Sequence, residues 1–207
     1  ISNTSGYRNS ANGFQSLYSN TSGYRNTATG CSSLYSNTSG FENTANGFEA
    51  LYSNTGGDRN TANGYRALYS NTGGYNTATG AETLTGNTTG NYNTAFGRAA
   101  LMSNETGSYN TAVGYRAGED CTGSSNVFIG NYAGEGQTDI SNRLYIDNSS
   151  TSTPLIYGDF SSNYVRINDE LGVGRTPSTN DLEVNGTASK STEIGRASCR
   201  ERVYCEV

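Results

Sequence analysis

At 207 residues, with a net charge of −5 and a pI ≈ 4.7, the chain has room for one domain, or one domain and an appendage. Asn (26), Ser (26), Thr (26) and Gly (27) make up about half of it and hydrophobic residues only 32%, which argues against a single thick apolar core. His is absent and the 12 Arg and single Lys (Lys190) are scattered; this removes the Ser-His-Asp and Cys-His nucleophile arrangements, the commonest metal ligand, and any basic stripe for nucleic acid.

Composition alone would predict disorder, but the order of the residues overrules it. Segments beginning at Ser2, Ser19, Ser36, Ser53, Ser70, Gly86, Ser103 and Glu119 align as eight copies of one unit of 17 or 16 residues, S-N-T-x-G-aromatic-x-N-T-A-x-G-x-x-A-L-Y. Asn recurs at unit position 8 from Asn9 to Asn126, and Gly at position 12 from Gly13 to Gly130 and at position 5 from Gly6 to Gly123. Low complexity without structure does not hold register over eight copies. The period is too short for helical-pair, propeller or leucine-rich repeats, and the unit is too rich in Gly, Asn and Thr for helix.

One coil of a parallel β-solenoid per unit fits this period. Two strand-length pieces flank the glycines, N-T-A-x and A-L-Y-S-N-T, and both glycine columns are expected to supply positive-φ corners. Ala at position 10 (Ala11 to Ala112) and Leu at position 16 (Leu17 to Leu101) are read as inward-facing, with Asn at position 8 forming an inner amide ladder or capping the corner. The aromatics at position 6 (Tyr7, Tyr24, Phe41, Tyr75) and position 17 (Tyr18, Tyr35, Tyr52, Tyr69) are candidates for burial between chains, because so thin an interior calls for oligomerisation.

The N-T-A-x-G-x-x-A-L units joined through S-N-T-x-G resemble the head repeats of trimeric autotransporter adhesins and of phage-like tail fibres. The resemblance covers roughly Ser2 to Gly134 and implies a left-handed parallel β-roll, assembled as a homotrimer. The unit is mostly 17 residues, longer than the shorter adhesin head repeat. Domain organisation follows as a β-roll over 1–136, a β-rich connector over 137–192 and a tail over 193–207. The connector carries short strands at Leu144–Ile146, Leu155–Phe160, Tyr164–Ile167 and Leu182–Val184. Its run Leu171–Ser178, followed by Leu182–Ser189, resembles the segment ahead of the intramolecular chaperone of tail spikes, whose body would begin after Lys190. The tail from Glu193 to Val207 reads as the translation of a common sequencing adapter and is set aside, with Cys199 and Cys205. Cys31 and Cys121 fall at unrelated unit positions six coils apart, too far for a disulfide.

Few motifs invite chemistry, and each has a plainer reading. Ser189-Lys190-Ser191 are adjacent residues in a polar linker, without nucleophile geometry. Gly172 and Gly174 lack the third glycine and the helix of a dinucleotide loop. The corners offer Asn and Thr, with Asp58 the one Asp in the first seven units, which disfavours a calcium array. The reading is therefore without catalytic, cofactor-binding or metal-ligating residues; the resemblance implies a non-enzymatic adhesive fibre segment, extracellular on a bacterial surface or virion, that meets a surface glycan or protein receptor. No apolar run reaches the ~18 residues of a membrane span. The alternative is a Thr-array binder such as an ice-binding solenoid, suggested by Thr27-Ala28-Thr29 and Thr77-Ala78-Thr79. Position 11, however, reads Asn, Thr, Asn, Asn, Thr, Phe, Val, Ile.

Overall fold

A computed structural model describes residues 4–168. The readings at Leu171–Ser178, Leu182–Val184, Ser189–Ser191 and the tail from Glu193 lie outside these residues. The described chain is all-β and forms a parallel β-solenoid with one unit per coil. Each unit gives one three-residue strand: β1 (Ser10–Asn12), β2 (Thr27–Thr29), β3 (Thr44–Asn46), β4 (Thr61–Asn63), β5 (Thr77–Thr79), β6 (Thr94–Phe96), β7 (Thr111–Val113) and β8 (Val127–Ile129). Neighbours pair in parallel with identical positions opposed, Ala28 to Ala45 and Ala45 to Ala62.

The sheet continues past Gly136. β9 (Arg143–Ile146) adds in parallel to β8 with Tyr145 opposite Phe128. The direction then reverses: β10 (Ile156–Asp159) pairs antiparallel with β9, and β11 (Tyr164–Ile167) antiparallel with β10, ending an eleven-stranded sheet in chain order.

The second expected strand is instead a turn. Residues at positions 14 and 16 sit at positive φ, among them Leu17, Leu34, Leu51, Leu68, Leu84 and Leu101 at +49° to +53°. Extended backbone would alternate the side chains across a strand; the left-handed residue at 16 instead turns Leu inward, and these six are 0–2% exposed. Left-handed Leu costs about 1–2 kcal/mol per residue, offset by its burial, about 1.5–3 kcal/mol per side chain. Coil-to-coil bonds persist through the turn, as Leu34 N–H to Ala50 O at 2.9 Å and Ser36 N–H to Tyr52 O at 3.0 Å.

Only one glycine column makes positive-φ corners. At position 12, Gly13 to Gly130 have φ between +120° and +146°, a region open to Gly alone. At position 5 the requirement is close approach: a β-carbon on Gly40 would stand 2.5 Å from the Gly57 carbonyl oxygen. That carbonyl column is in demand. Gly40 O accepts Asn37 Nδ2 of its own coil at 3.1 Å and Asn26 Nδ2 of the preceding coil at 2.7 Å.

The two Asn columns therefore do different work. Position 8 both caps and ladders: Asn26 Oδ1 accepts the Asn43 N–H at 3.0 Å and Asn43 Nδ2 at 3.2 Å. Position 2 runs amide to amide, Asn37 to Asn20 at 2.8 Å and Asn54 to Asn37 at 3.1 Å. All of these Asn from coil two upward are 0–1% exposed, so the interior is half aliphatic and half amide, each amide satisfied along the stack.

The register absorbs the unequal unit lengths at one place. In the short fifth coil the residue at position 4 is missing, Asn71 reaches Gly73 only two residues on, and Thr61 still opposes Thr77. The same shortening at Cys121-Thr122-Gly123 puts Glu119 at position 17, since Ser103 N–H bonds Glu119 O as Ser53 N–H bonds Tyr69 O. The eighth coil thus starts at Asp120, one residue later than the sequence alignment placed it.

Near the end of the stack the core exchanges its parts. Phe128 replaces Ala at position 10 and is fully buried, while Gly118 and Gly134 replace Leu at position 16 at φ +60° and +68°. A β-carbon on Gly118 would lie 2.5 Å from Phe128 Cδ2. One large ring therefore fills the space that two Leu side chains occupy elsewhere.

Candidate interaction surface

Three outer surfaces stand beside the position-13 aromatics Phe14, Phe48, Tyr65 and Tyr115, which are 36–73% exposed with Phe48 stacked on Tyr65. The first is a π column at the corner after position 5. Tyr7, Tyr24 and Phe41 stack at 5.0 and 4.9 Å between centroids with planes within 2°. Tyr75 does not continue this position-6 column as expected. Its coil lacks position 4, so Tyr75 falls at position 7, where it stacks on Tyr92 at 4.8 Å, and Tyr92 on Tyr109 at 5.1 Å. The Arg59 guanidinium joins the two halves, with Cζ 5.3 Å from the Phe41 centroid and 5.2 Å from that of Tyr75, and it hydrogen-bonds the Tyr75 hydroxyl. Glu42 pairs with Arg25 at 2.8 Å and Arg59 at 2.9 Å; hydrogen bonds from Arg59 and then Arg25 hold its carboxyl below the usual range.

The second surface lies on the turn. Tyr18, Tyr35, Tyr52 and Tyr69 stack at 5.0–5.2 Å, beside coil-to-coil ion pairs such as Arg66–Glu49 at 2.6 Å. Within both columns the inner rings have their faces taken up by neighbouring rings or by Arg, so mainly their edges meet solvent; the end rings are more open, Tyr109 at 63% exposure.

The third surface is the outward face of the sheet, positions 9 and 11, which flank the buried Ala. Thr occupies position 9 in β2 through β7. Thr at position 3 belongs elsewhere: its hydroxyl bonds the next coil's carbonyl, as Thr38 to Thr55 O at 2.8 Å. Among the described residues no group of three or more His, Cys, Asp and Glu could hold a metal ion, and no helix is long and apolar enough to cross a membrane. An open cleft of about 630 Å³ lies beside the loop before β10, lined by Asp147, Ser149, Thr151, Thr153, Leu155 and Asn168; its single carboxylate brings together no acid–base pair.

No family model, curated protein or solved structure matches the chain.

Proposed function

We propose that this chain is a non-catalytic, extracellular structural segment of an adhesive fibre, of the tail-fibre or adhesin kind, which as a homotrimer holds a receptor-binding surface away from a bacterial cell or virion. The receptor is of the surface glycan or protein class. One observation carries the reading. The positions that recur from unit to unit are mostly those that stacking consumes, Asn 2, Thr 3, Gly 5, Asn 8, Ala 10, Gly 12 and Leu 16; of the solvent-facing positions, 6, 7, 11, 13 and 14 vary and position 9 alone keeps its Thr, from β2 to β7. The repeat encodes coil-on-coil assembly, which sets a length, about 4.8 Å per coil, so nine coils span roughly 40 Å.

Deleting one whole coil, Ser36–Tyr52, tests this. It joins Tyr35 to Ser53, keeps every column in phase, and is expected to preserve folding while shortening the rod by about 4.8 Å. Removing nine residues, Ser36–Thr44, puts the Gly and Asn columns out of phase and is expected to abolish the cooperative melt seen by circular dichroism. Equal damage from both deletions would refute the reading.

A second reading has one observation in its favour: the in-register Thr column at position 9 suits a Thr-array binder of the ice-binding kind. Column 11 keeps Thr only at Thr29 and Thr79, which breaks the array. Thermal hysteresis of the full chain discriminates, and a measurable value would favour this second reading.

A further inference from the structure

The outward face of the sheet has a property that neither the repeat nor the proposed function requires. Across all eleven strands it carries no charged residue. In β1 to β9 the outward positions are Ser, Asn, Thr, Phe, Val, Ile or Leu. In β10 and β11 the residues in register with them are Ile156 and Gly158, then Ile167 and Val165. The charged residues of these strands, Arg143, Asp159 and Arg166, share the opposite face with Tyr145 and Tyr157. The chain has a net charge of −5, and its other surfaces carry the coil-to-coil ion pairs.

The face is also graded along its length. From β1 to β5 it is hydroxyl and amide. From β6 onward position 11 becomes apolar, with Phe96 44%, Val113 42% and Ile129 41% exposed, while position 9 stays Thr at Thr94 and Thr111 and turns apolar from β8, at Val127 and Leu144; Ile146 and then Val165, at 63% exposure, extend the apolar part. A continuous exposed apolar strip of this kind marks an interaction site.

We propose that this face is where copies of the chain associate, side by side, parallel and coil against coil. Three features select a second copy over another partner. Like charges of two acidic chains repel wherever their charged columns meet, and only this face brings none to the contact. The side chains repeat at the coil spacing, including the two 16-residue coils, and a second copy matches that spacing at every strand. The gradient fixes direction, because only parallel copies in register set apolar coils against apolar coils and Thr-Asn coils against Thr-Asn coils. The contact rests on the multi-chain part of the fibre reading and relocates it from the aromatic columns, whose rings are already stacked within one chain, to the sheet.

The test uses the full chain with Cys31, Cys199 and Cys205 changed to Ser; Cys121 is 0% exposed and is left in place. Sedimentation velocity of this chain is expected to show an oligomer, and a folded monomer at micromolar concentration would overturn the proposal. Single probes Val113→Cys and Thr44→Cys on the face, treated with a short bis-maleimide, should each give covalent oligomers. Tyr109→Cys, in the same coil as Val113 but at 63% exposure on another surface, should not. Cross-linking by Tyr109→Cys and not Val113→Cys would place the contact elsewhere, and failure of Thr44→Cys alone would exclude the parallel register. Val113→Lys with Ile129→Lys should keep the melting curve, since both side chains face solvent, and weaken association at least a hundredfold; unchanged association would refute the assignment. The coil deletions probe folding of the stack alone; a folded monomer would overturn the homotrimer and this contact together, whereas an oligomer cross-linked through Tyr109→Cys and not Val113→Cys would overturn this contact and leave the fibre reading standing.

Discussion

The position-8 amides give the sharpest quantitative test of the stack, and Asn60 is the most informative of them. Its Oδ1 accepts the Asn76 N–H at 3.0 Å, and its Nδ2 donates to Gly73 O at 2.9 Å and to Asn43 Oδ1 at 3.1 Å. Truncation in Asn60→Ala strands one group outright, the buried Asn76 N–H, at about 1–3 kcal/mol. The two acceptors keep other donors, Asn71 Nδ2 for Gly73 O at 2.8 Å and the Asn60 N–H for Asn43 Oδ1 at 2.9 Å, so each lost bond adds only about 0.5–1 kcal/mol. The expected loss is about 3 kcal/mol, on the order of a hundredfold in the folding equilibrium. Asn60→Asp separates hydrogen-bond direction from volume. It keeps the acceptor for Asn76 but turns a carboxylate oxygen toward two other oxygens at a site that is 0% exposed. The introduced carboxyl is therefore held above its ordinary pKa, so the penalty is small below about pH 4 and grows as pH rises through that raised value. Urea unfolding followed by circular dichroism at pH 4 and pH 7, with hydrogen exchange of the Gly73–Thr79 peptide as a local readout, measures both variants. An Ala variant within 1 kcal/mol of wild type, or an Asp variant no worse than Ala at pH 7, would refute the amide-ladder account.

Three further outcomes are expected. Gly64→Ala, at φ +135° with its β-carbon 2.5 Å from Gly80 O, should lose about 2–4 kcal/mol, whereas Gly56→Ala, whose nearest obstacle is the Ser39 hydroxyl at 3.3 Å, should stay within about 0.5 kcal/mol; paired thermal melts compare them. Gly118→Leu should be strongly destabilising beside Phe128 and much less so with Phe128→Ala, giving a coupling above about 1 kcal/mol in a double-mutant cycle, and additivity would contradict the core exchange. Burial pushes the Cys121 thiol and the Tyr145 hydroxyl up, so both favour the folded state while protonated. Stability should hold through neutral pH and fall as pH climbs past the ordinary thiol value of about 8.5; Cys121→Ala should lessen the drop in Tm between pH 7 and pH 10, and an identical drop would exclude Cys121 as a source.

How much of this was legible follows from what a repeated residue can report. Periodicity located the coils, the inward Ala and Leu columns and the position-8 Asn because their spacing is a property of sequence; the buried Asn of position 2 recurs nearly as strictly but was not singled out. Backbone sign is not. Leu carries no mark of the left-handed conformation at position 16, and that conformation is what turned the expected second strand into a turn. The position-5 glycines were misread for a related reason: Gly signals absence of a β-carbon, and neither φ nor close approach can be told apart until the neighbouring carbonyl is placed. Tyr75 moved to position 7 because counting from the start of a unit hides where a missing residue is taken up. The exchange at Phe128 did leave a trace, Ala becoming Phe in the coils where Leu becomes Gly, and so did the interaction face, whose outward positions never carry charge.

That last trace bears on how an in-register stack manages charge at all. At a spacing of about 4.8 Å any repeated charge meets its own copy in the next coil, and like charges directly opposed are unfavourable. The corner columns meet this largely by alternation: Arg8 does oppose Arg25 at position 7, but Arg25, Glu42 and Arg59 then follow one another there, and Glu49 meets Arg66 at position 14. Stacking therefore tolerates charge wherever signs can alternate, and it gives no reason for the sheet face to be neutral over eleven strands. Nor does solubility, which favours charge on an exposed surface. Neutrality on that face together with its turn from Thr to Val, Ile and Phe instead suits a surface covered by another chain.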